Sequence, residues 1–481
     1  MRNLVAFAPL MLISACDLAP KHITPALSTP TEFPPEVSPS GARADAVEVP
    51  WQRFYQDERL RELIAQALDN NRDLRIAVAR IEEARGLYRI QRADQLPQLG
   101  ASAEASRNRI GTAAATNTST GATGATIDGY NVGVGVTSFE LDFWDRVRNL
   151  SAAARSRYFA TVSAERAFRI SLIRDLATAY ITSRSLAEQA EQADRAVSSR
   201  AEGLRIAKLR LDAGVTSALD YRQAESLLTQ AETQVASLHN LRAQQRNIVR
   251  LLVGAPINEE SLAAPRLLGD QGIVRGFDAG LPSDLLVNRP DIIAAEETLR
   301  AARANVGAAR AAFFPRISLT GNFGFASTSL DNLLSDSGTN WSFGPSITLP
   351  IFDWGARKGD LSVARARESI EVATYERTVQ VAFREVSDAL ANRRYLAEQI
   401  EAQQRTVTAQ SALTRLARLR YTNGVAQFLE VLDAERNLLS AQQALIQLRG
   451  AQLSSIVSLY SAIGGGLGPT QAPRADASKR R

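Results

Sequence analysis

Residues 316–355 read RISLTGNFGFASTSLDNLLSDSGTNWSFGPSITLPIFDWG and carry the clearest structural pattern in the chain. Apolar side chains alternate there with small or polar ones over two segments of about ten residues, which is the period of a β-strand. The polar segment 327–339 between them is suited to an exposed loop. The alternating apolar positions are Ile317, Leu319, Phe323, Phe325, Trp341, Phe343, Ile347, Leu349 and Ile351.

A second β-hairpin is predicted earlier in the chain, at about residues 98–141, with a loop at 107–128. Strands of about ten alternating residues are typical of membrane β-barrels, although a half-buried soluble sheet gives the same pattern. Four antiparallel strands cannot close a barrel, because about eight are needed. Open edges in lipid would leave backbone groups without hydrogen bonds. We therefore expect other copies of the chain to complete the barrel.

The two hairpins belong to an internal duplication, because similar motifs recur in the same order at a nearly constant spacing. Each half is therefore expected to fold as a helix, a β-hairpin, a long helix and a return helix. The matched motifs are Asn71-Arg72-Asp73 with Asn288-Arg289-Pro290-Asp291, Leu96-Pro97 with Phe314-Pro315, Asp142-Phe143-Trp144 with Ile351-Phe352-Asp353-Trp354, and Arg210–Val215 with Arg420–Val425.

Helical periodicity precedes each hairpin, at residues 57–95 and 283–313. Pro97 and Pro315 end these helices, because proline cannot continue the hydrogen-bond ladder. The fold class predicted for the chain is α+β and mainly α, with this unit repeated in tandem.

Two segments without proline, at about 146–212 and 356–422, follow the hairpins and predict very long helices. At 1.5 Å per residue each would extend about 100 Å. The second carries apolar residues at a seven-residue spacing, interrupted at Arg393, which predicts a coiled-coil seam. The seam positions are Val372, Val379, Val386, Ile400 and Val407.

Gly214-Val215 and Gly424-Val425 interrupt the helical pattern, and return helices are predicted at about 216–253 and 427–463. The two tips are then expected roughly 100 Å from the strands, farther than a bilayer is thick. Membrane-type strands with such helices indicate a conduit. A structural coiled-coil envelope lipoprotein, the remote alternative, would explain the seam but not the strands.

The first residues resemble a bacterial lipoprotein signal, in which Cys16 becomes the acylated N-terminus. An ordinary signal with a buried thiol is the alternative. Asp17 follows the cysteine, and in enteric bacteria that residue usually retains lipoproteins at the inner membrane. The predicted divisions are a signal at 1–15, a lipidated Pro-rich tether at 16–50, a first repeat at 51–256, a connection at 257–280, a second repeat at 281–466 and a flexible basic tail at 467–481.

The composition argues against chemistry in the folded chain, which has one Cys, two His and two Met in 481 residues. His22 lies in the tether and His239 stands alone on a helix, so neither a catalytic site nor a metal site nor a cofactor is expected. The net charge of +5 suggests nucleic-acid binding only weakly. Arg2 of the signal and the terminal tail supply much of it, so no nucleic-acid partner is expected.

Several motifs resemble the outer-membrane factors, and in particular the lipidated OprM/NodT-like branch of the TolC superfamily. The resemblance covers residues 16–466, nearly the whole mature chain. The motifs that carry it are Trp51-Gln52-Arg53-Phe54, Leu281-Pro282-Ser283-Asp284, Ala308–Pro315, Leu349–Gly355 and Gly464-Gly465-Gly466.

The resemblance implies a homotrimer anchored in outer-membrane lipid, with a 12-stranded barrel continued by a periplasmic α-helical coiled-coil barrel. It also implies docking to a periplasmic adapter and to an inner-membrane transporter of the resistance–nodulation–division (RND) type. The chain would then be the passive outer-membrane channel for drugs or other small toxic compounds. The outer-membrane component of a type I protein secretion system has the same architecture and remains the alternative.

Many outer-membrane factors carry an Asp shortly after the Gly-Val of each tip, where it forms a constricting acidic ring. This sequence departs from that pattern, because Thr216 and Ala426 directly follow Gly-Val. The tip residues expected to meet the adapter are Gly214, Val215, Thr216, Gly424, Val425 and Ala426. The candidate gate charges are Asp212, Asp220, Arg420, Glu430 and Asp433, for each of which a solvated helix face is the alternative.

Overall fold

One antiparallel sheet and several long helices form the part of the chain that our computed structural model describes. The described residues are 17–25, 30, 49–109, 126–258, 268, 272–274 and 288–467. Contacts divide the chain into two compact units. The sheet unit comprises residues 1–26, 80–161 and 294–375, and the helical unit comprises residues 27–79, 162–293 and 376–481.

The order of elements repeats, which confirms the predicted fold class. The first half contains α1 (Trp51–Phe54), α2 (Glu58–Asn70), α3 (Arg72–Ala93), β1 (Leu99–Arg109), β2 (Thr126–Leu141), α4 (Arg146–Asp212) and α5 (Ala218–Val253). The second half contains α6 (Pro290–Ala311), β3 (Arg316–Ser327), β4 (Thr339–Thr348), α7 (Ala356–Thr422) and α8 (Phe428–Ala462), with a short 3-10 helix at Asp336–Gly338.

The four strands form one sheet in the order β1-β2-β3-β4, with every pair antiparallel. The central pair therefore joins the hairpin of the first repeat to that of the second. Three strands have 10 to 12 residues, close to the expected ten. The expectation is wrong for β2, which has 16 residues because a register shift between Val136 and Phe139 lets it continue past the regular ladder.

Glycines let the backbones of β2 and β3 approach closely where the repeats join. A Cβ on Gly324 would overlap the carbonyl oxygen of Val132 and lie 2.6 Å from Cα of Gly133. A substitution there must push the strands apart, since no side-chain rotation can relieve an overlap with backbone.

Gly324→Ala is expected to destabilise the folded protein by about 1–3 kcal/mol, the usual effect of overpacking a close contact. Thermal unfolding of the purified protein in detergent measures the change. Gly344→Ala is the matched control on the neighbouring strand, because a Cβ at Gly344 meets no atom within 4 Å. Equal melting temperatures for the two variants would contradict the close approach.

Both long helices are continuous for 67 residues. In the helical unit, the predicted seam of α7 is buried at its centre, where the side chains of Val379 and Val386 are 5% and 0% exposed. Small residues alternate with them along this stripe, since Ala382 and Ala389 are also buried. Such residues permit close helix packing.

The helix expected at residues 57–95 is wrong in one respect, since α2 ends at Asn70 and α3 begins at Arg72. Asn71 explains the break. Its Oδ1 accepts a hydrogen bond from the backbone of Leu74, 2.9 Å away, and thereby caps α3. Its Nδ2 donates to the carbonyl oxygen of Leu252 at 2.8 Å, which ties the break to the end of α5.

Several aromatic side chains lie in the core of the helical unit. The rings of Phe54 and Tyr460 stack with centroids 3.8 Å apart, and Tyr180 donates a hydrogen bond to Asp57 at 3.0 Å. Pro50 pairs with Gly466 as an isolated parallel bridge. The last residue of the predicted Pro-rich tether therefore contacts the end of the second repeat. Among the described residues, no helix is both long enough and apolar enough to cross a bilayer.

Candidate functional site

The register of the sheet separates its two faces by chemistry. On one face, directly paired positions form the row Ala101, Val134, Phe323 and Trp341. On the other face, the neighbouring row is Ser102, Gly133, Gly324 and Asn340. One face is therefore apolar, while the other is polar or small.

Large apolar side chains on the first face are exposed in the single chain. Phe323, Trp341 and Phe343 are 54%, 70% and 66% exposed. A water-soluble sheet buries such a face against a core, whereas a membrane barrel turns it towards lipid and its polar face towards a water-filled interior. The geometry is that of a segment of barrel wall.

Among the residues that the structure describes, the sheet is an open segment, because β1 and β4 each pair on one side only. Lipid offers backbone N–H and C=O groups no hydrogen bonds, so both edges need partner strands.

Aromatic residues mark the junctions between the sheet and the helices that follow it. Trp144 donates from Nε1 to the carbonyl oxygen of Pro315 at 2.9 Å and stacks on Phe314. Phe352 and Trp354 follow β4 and are 71% and 90% exposed. Aromatic side chains of this kind line the membrane–water interface of barrel proteins.

Each long helix ends at its predicted Gly-Val turn with the same geometry. Gly214 and Gly424 adopt positive φ angles of 70° and 72°. The following amides of Val215 and Val425 donate back to the carbonyl oxygens of Arg210 and Arg420, both at 2.9 Å. This left-handed glycine closes the helix by satisfying its terminal carbonyl groups.

The tip residues differ in exposure. Val215 and Val425 are 64% and 69% exposed, although both are apolar. Thr216 donates its hydroxyl to the carboxylate of Asp220, and Ala426 is half-buried. The tips therefore present two exposed valines.

Two of the candidate gate charges pair with each other. Arg420 and Glu430 form an ion pair of 3.2 Å across the second turn. Asp433 pairs instead with Arg436 at 3.0 Å, and Asp212 is exposed.

A contact that sequence reasoning missed joins the two tips. The guanidinium of Arg210, at the end of α4, lies 4.8 Å from the ring centroid of Tyr421, at the end of α7. The ring of Phe428 lies 5.0 Å from that of Tyr421. Arg210 and Tyr421 both belong to the matched repeat motifs, but their pairing depends on how the two helices pack.

The model of the outer membrane efflux protein family matches residues 63–255 and 281–465. These ranges include all four strands and both tips. The chain belongs to the outer membrane efflux protein family.

Full-length relatives and solved structures agree with this membership. The chain is 42% identical to the solvent efflux pump outer membrane protein SrpC of Pseudomonas putida, over 98% of this chain and 99% of SrpC. It is 36% identical to the cation efflux system protein CusC of Escherichia coli O6:H1, over 96% and 98%. The open-state MtrE outer membrane channel of Neisseria gonorrhoeae superposes with a TM-score of 0.84, at 38% identity, over 94% and 99%.

This outer membrane efflux protein is therefore the outer-membrane component of an efflux system, with the TolC-like fold that its sequence indicates. The candidate functional site therefore consists of the four-stranded sheet and the two Gly-Val turns at the tips. Within the described ranges, no group of three or more His, Cys, Asp or Glu side chains is placed to hold a metal ion.

The described segment that directly follows Cys16 packs against the sheet unit of the efflux protein. Arg303 of α6 donates to the carbonyl oxygen of Ile23 at 2.8 Å, and Arg310 donates to that of Leu18 at 2.9 Å. His22 lies 2.9 Å from a carboxylate oxygen of Glu296. Cys16 itself lies outside the described residues. Residues 17–25, which we call the strap, are thus held because side chains of α6 bond to their backbone carbonyl groups. The Pro-rich sequence does not reveal these contacts.

Arg303→Ala is expected to loosen the strap and to speed tryptic cleavage after Lys21 about tenfold or more. Hydrogen bonds from a charged group contribute about 1.5–3 kcal/mol, and protease cleavage requires the strap to open locally. Limited proteolysis with N-terminal sequencing measures the rate. Arg85→Ala is the control, since Arg85 bonds Glu82 and Tyr158 instead of the strap. Equal cleavage rates for the two variants would contradict the role of Arg303 in holding the strap.

Arg289 is a buried charge in the helical unit that is held by several partners. It bonds Asp291 at 2.7 Å, Glu385 at 2.9 Å and the carbonyl oxygen of Ala462 at 2.7 Å, while its side chain is 9% exposed. Burial works to lower the pKa of Arg289, but the bonds and charges of the two carboxylates outweigh burial and raise it. The residue therefore stays charged and links the start of α6 to α7 and to the end of α8.

Proposed function

We propose that three copies of the chain form one outer-membrane channel. The observation that carries this proposal is the exposed apolar face of the four-stranded sheet together with its two unpaired edges. Three such sheets joined edge to edge give the 12-stranded barrel that the family resemblance implies, and they leave no backbone group unpaired in lipid. Helices α4, α5, α7 and α8 of the three chains then continue the wall as a periplasmic tunnel.

Cys16 is proposed as the lipid-bearing residue that holds each chain at the outer membrane. The strap supports this role, since Arg303 and Arg310 hold the nine residues beyond the cysteine against α6. Asp17 also takes part, because its carboxylate accepts hydrogen bonds from Ala19 and Asn149 at 2.9 and 3.2 Å. Membrane fractionation tests the location, and recovery in the inner membrane would contradict it.

The channel is proposed to conduct passively, without catalysis or a cofactor. An inner-membrane RND transporter supplies the energy, and a periplasmic adapter joins it to the tips around Gly214–Thr216 and Gly424–Ala426. In the resting state the tips close the entrance through the contact of Arg210 with Tyr421 and the ion pair of Arg420 with Glu430. Asp212, Asp220 and Asp433 are the further candidates for the lining of that entrance.

Organic solvents and apolar drugs are the proposed cargo. The names of the relatives SrpC and TtgI specify solvent and toluene efflux. CusC, a cation efflux protein, suggests metal ions as a second candidate. The composition favours organic compounds, because both Met residues, Met1 and Met11, lie in the predicted signal and leave no soft thioether ligands in the mature chain.

Deletion of the gene, with complementation by the intact chain, tests this function. We expect intracellular accumulation of toluene and of a fluorescent dye to rise several-fold in the deletion strain, while secretion of protein toxins stays unchanged. Unchanged accumulation with lost toxin secretion would reject efflux in favour of type I secretion. Hypersensitivity to copper or silver alone would assign the channel to cations.

A further inference from the structure

A groove on the helical unit carries more positive than negative charge. It lies between α4, α7 and α8 and has a volume of about 300 Å³. The charged residues lining it are three arginines, Arg195, Arg200 and Arg418, and one carboxylate, Glu435. We call this site the arginine groove.

Arg200 forms part of the groove and is only 7% exposed. Its Nη1 donates to the carbonyl oxygen of Leu227 at 3.1 Å. Within the described part of the chain, no carboxylate forms an ion pair with Arg200. Burial lowers the pKa of Arg200, and the charge of Glu435 offsets this only in part. A buried guanidinium without a paired carboxylate is costly, so an added negative charge in the groove would stabilise it.

Arg418 is half-exposed and already binds the one carboxylate of the groove. Its Nε and Nη2 lie 2.9 and 2.6 Å from the same oxygen of Glu435, and Nη2 also donates to Ser199. The side chain of Glu435 is only 18% exposed. Glu435 therefore occupies the position that a carboxylate from outside would take.

Gln192 adds an acceptor that has no donor. Gln192 lines the same groove, and its buried Oε1 makes no hydrogen bond. A buried acceptor without a partner costs free energy that a bound N–H group would recover. The groove thus offers guanidinium donors for a carboxylate and one acceptor for an adjacent N–H.

We propose that the arginine groove binds a carboxylate borne on an acidic peptide segment of a partner protein. Arg200 and Arg418 receive the carboxylate, and Gln192 accepts from the peptide N–H. Arginine suits this role because its planar donor fork matches a carboxylate. Glu435 acts as a built-in competitor, which keeps Arg418 neutralised until the partner's acid replaces it.

Isothermal titration of the full chain in detergent at low salt tests the proposal. The probes are glutarate, as a free carboxylate, and the blocked tripeptide acetyl-Ala-Glu-Ala-amide. Glu435→Gln is expected to bind the tripeptide about tenfold more tightly than the unsubstituted chain does, because the competitor is removed. Arg418→Gln is expected to bind it at least tenfold more weakly than the unsubstituted chain.

The opposite signs of these two effects separate binding from a merely structural ion pair. If the pair of Arg418 and Glu435 were only structural, removal of either partner would change the affinity for the tripeptide in the same direction. Arg200→Gln is an additional variant, and the half-exposed Arg418 keeps the test valid if that buried change prevents folding. Arg205→Gln is the matched control, because Arg205 pairs with Glu202 on the surface of α4.

Tighter binding of the tripeptide than of glutarate supports a protein partner as the source. Tighter binding of glutarate would overturn that source in favour of a free anion. Absence of any gain in Glu435→Gln, or an equal loss in Arg205→Gln, would overturn the site altogether.

Discussion

Arg289→Ala is expected to lower the free energy of unfolding by about 3 kcal/mol. Removing one member of a buried ion pair costs about 3–5 kcal/mol, because the remaining charge stays without its partner. The lower end of that range applies here, since Asp291 and Glu385 are each 36% exposed and water reaches them in part. The carbonyl oxygen of Ala462 would also lose its donor.

Denaturant titration of the detergent-solubilised protein, followed by circular dichroism, measures this change. Arg405→Ala is the control, because Arg405 forms an exposed pair with Glu401 on the surface of α7. Such pairs contribute about 0–1 kcal/mol. Arg289→Lys should recover part of the loss, since lysine keeps the charge but cannot bond three partners in the same plane. Equal destabilisation by the two alanine variants would show that Arg289 does not link the helices.

The double variant Arg210→Ala/Arg420→Ala is expected to weaken the proposed closure of the tips and to raise the ratio of open to closed channels about tenfold. Arg210 contributes its contact with the ring of Tyr421, and Arg420 contributes its ion pair with Glu430. An exposed cation–π contact stabilises by about 0.5–1 kcal/mol, and an exposed ion pair by up to about 1 kcal/mol. Their loss approaches the 1.4 kcal/mol that changes an equilibrium tenfold.

Single-channel recording in planar bilayers measures this opening. Arg205→Ala serves as the control, because Arg205 and Glu202 pair within α4 and do not join the tips. An open probability of the double variant equal to that of the control would remove both arginines from the proposed gate. High salt should narrow the difference, since the ion pair is screened.

The periodicity of the sequence was sufficient to predict the helices and strands of this fold, because each pattern depends on residues only a few positions apart. The alternation of residues 316–351 depends on which side chains point to each face of a strand. The C-terminal ends of the two long helices were equally readable, because glycine adopts the left-handed turn with little steric cost. The tips at Gly214 and Gly424 therefore lie where the sequence places them.

Side-chain roles were less predictable, even within the duplicated motif. Asn71 caps α3 and holds the end of α5, whereas the following Arg72 is exposed. In the second repeat, Arg289 is buried and carries the contacts to α7 and α8. Residues of the same type at matched positions thus have different structural roles, because their burial and their available partners differ between the two repeats.

The sequence by itself determined the repeat, the four strands, the long helices, their tips and the family resemblance. Only the tertiary structure decided which group each arginine contacts: Arg289 meets Glu385, Arg210 meets the ring of Tyr421, and Arg303 meets the backbone of the strap. The physical reason is distance along the chain. Secondary structure follows from neighbours a few residues apart, whereas these pairs join residues that approach only after the helices have packed.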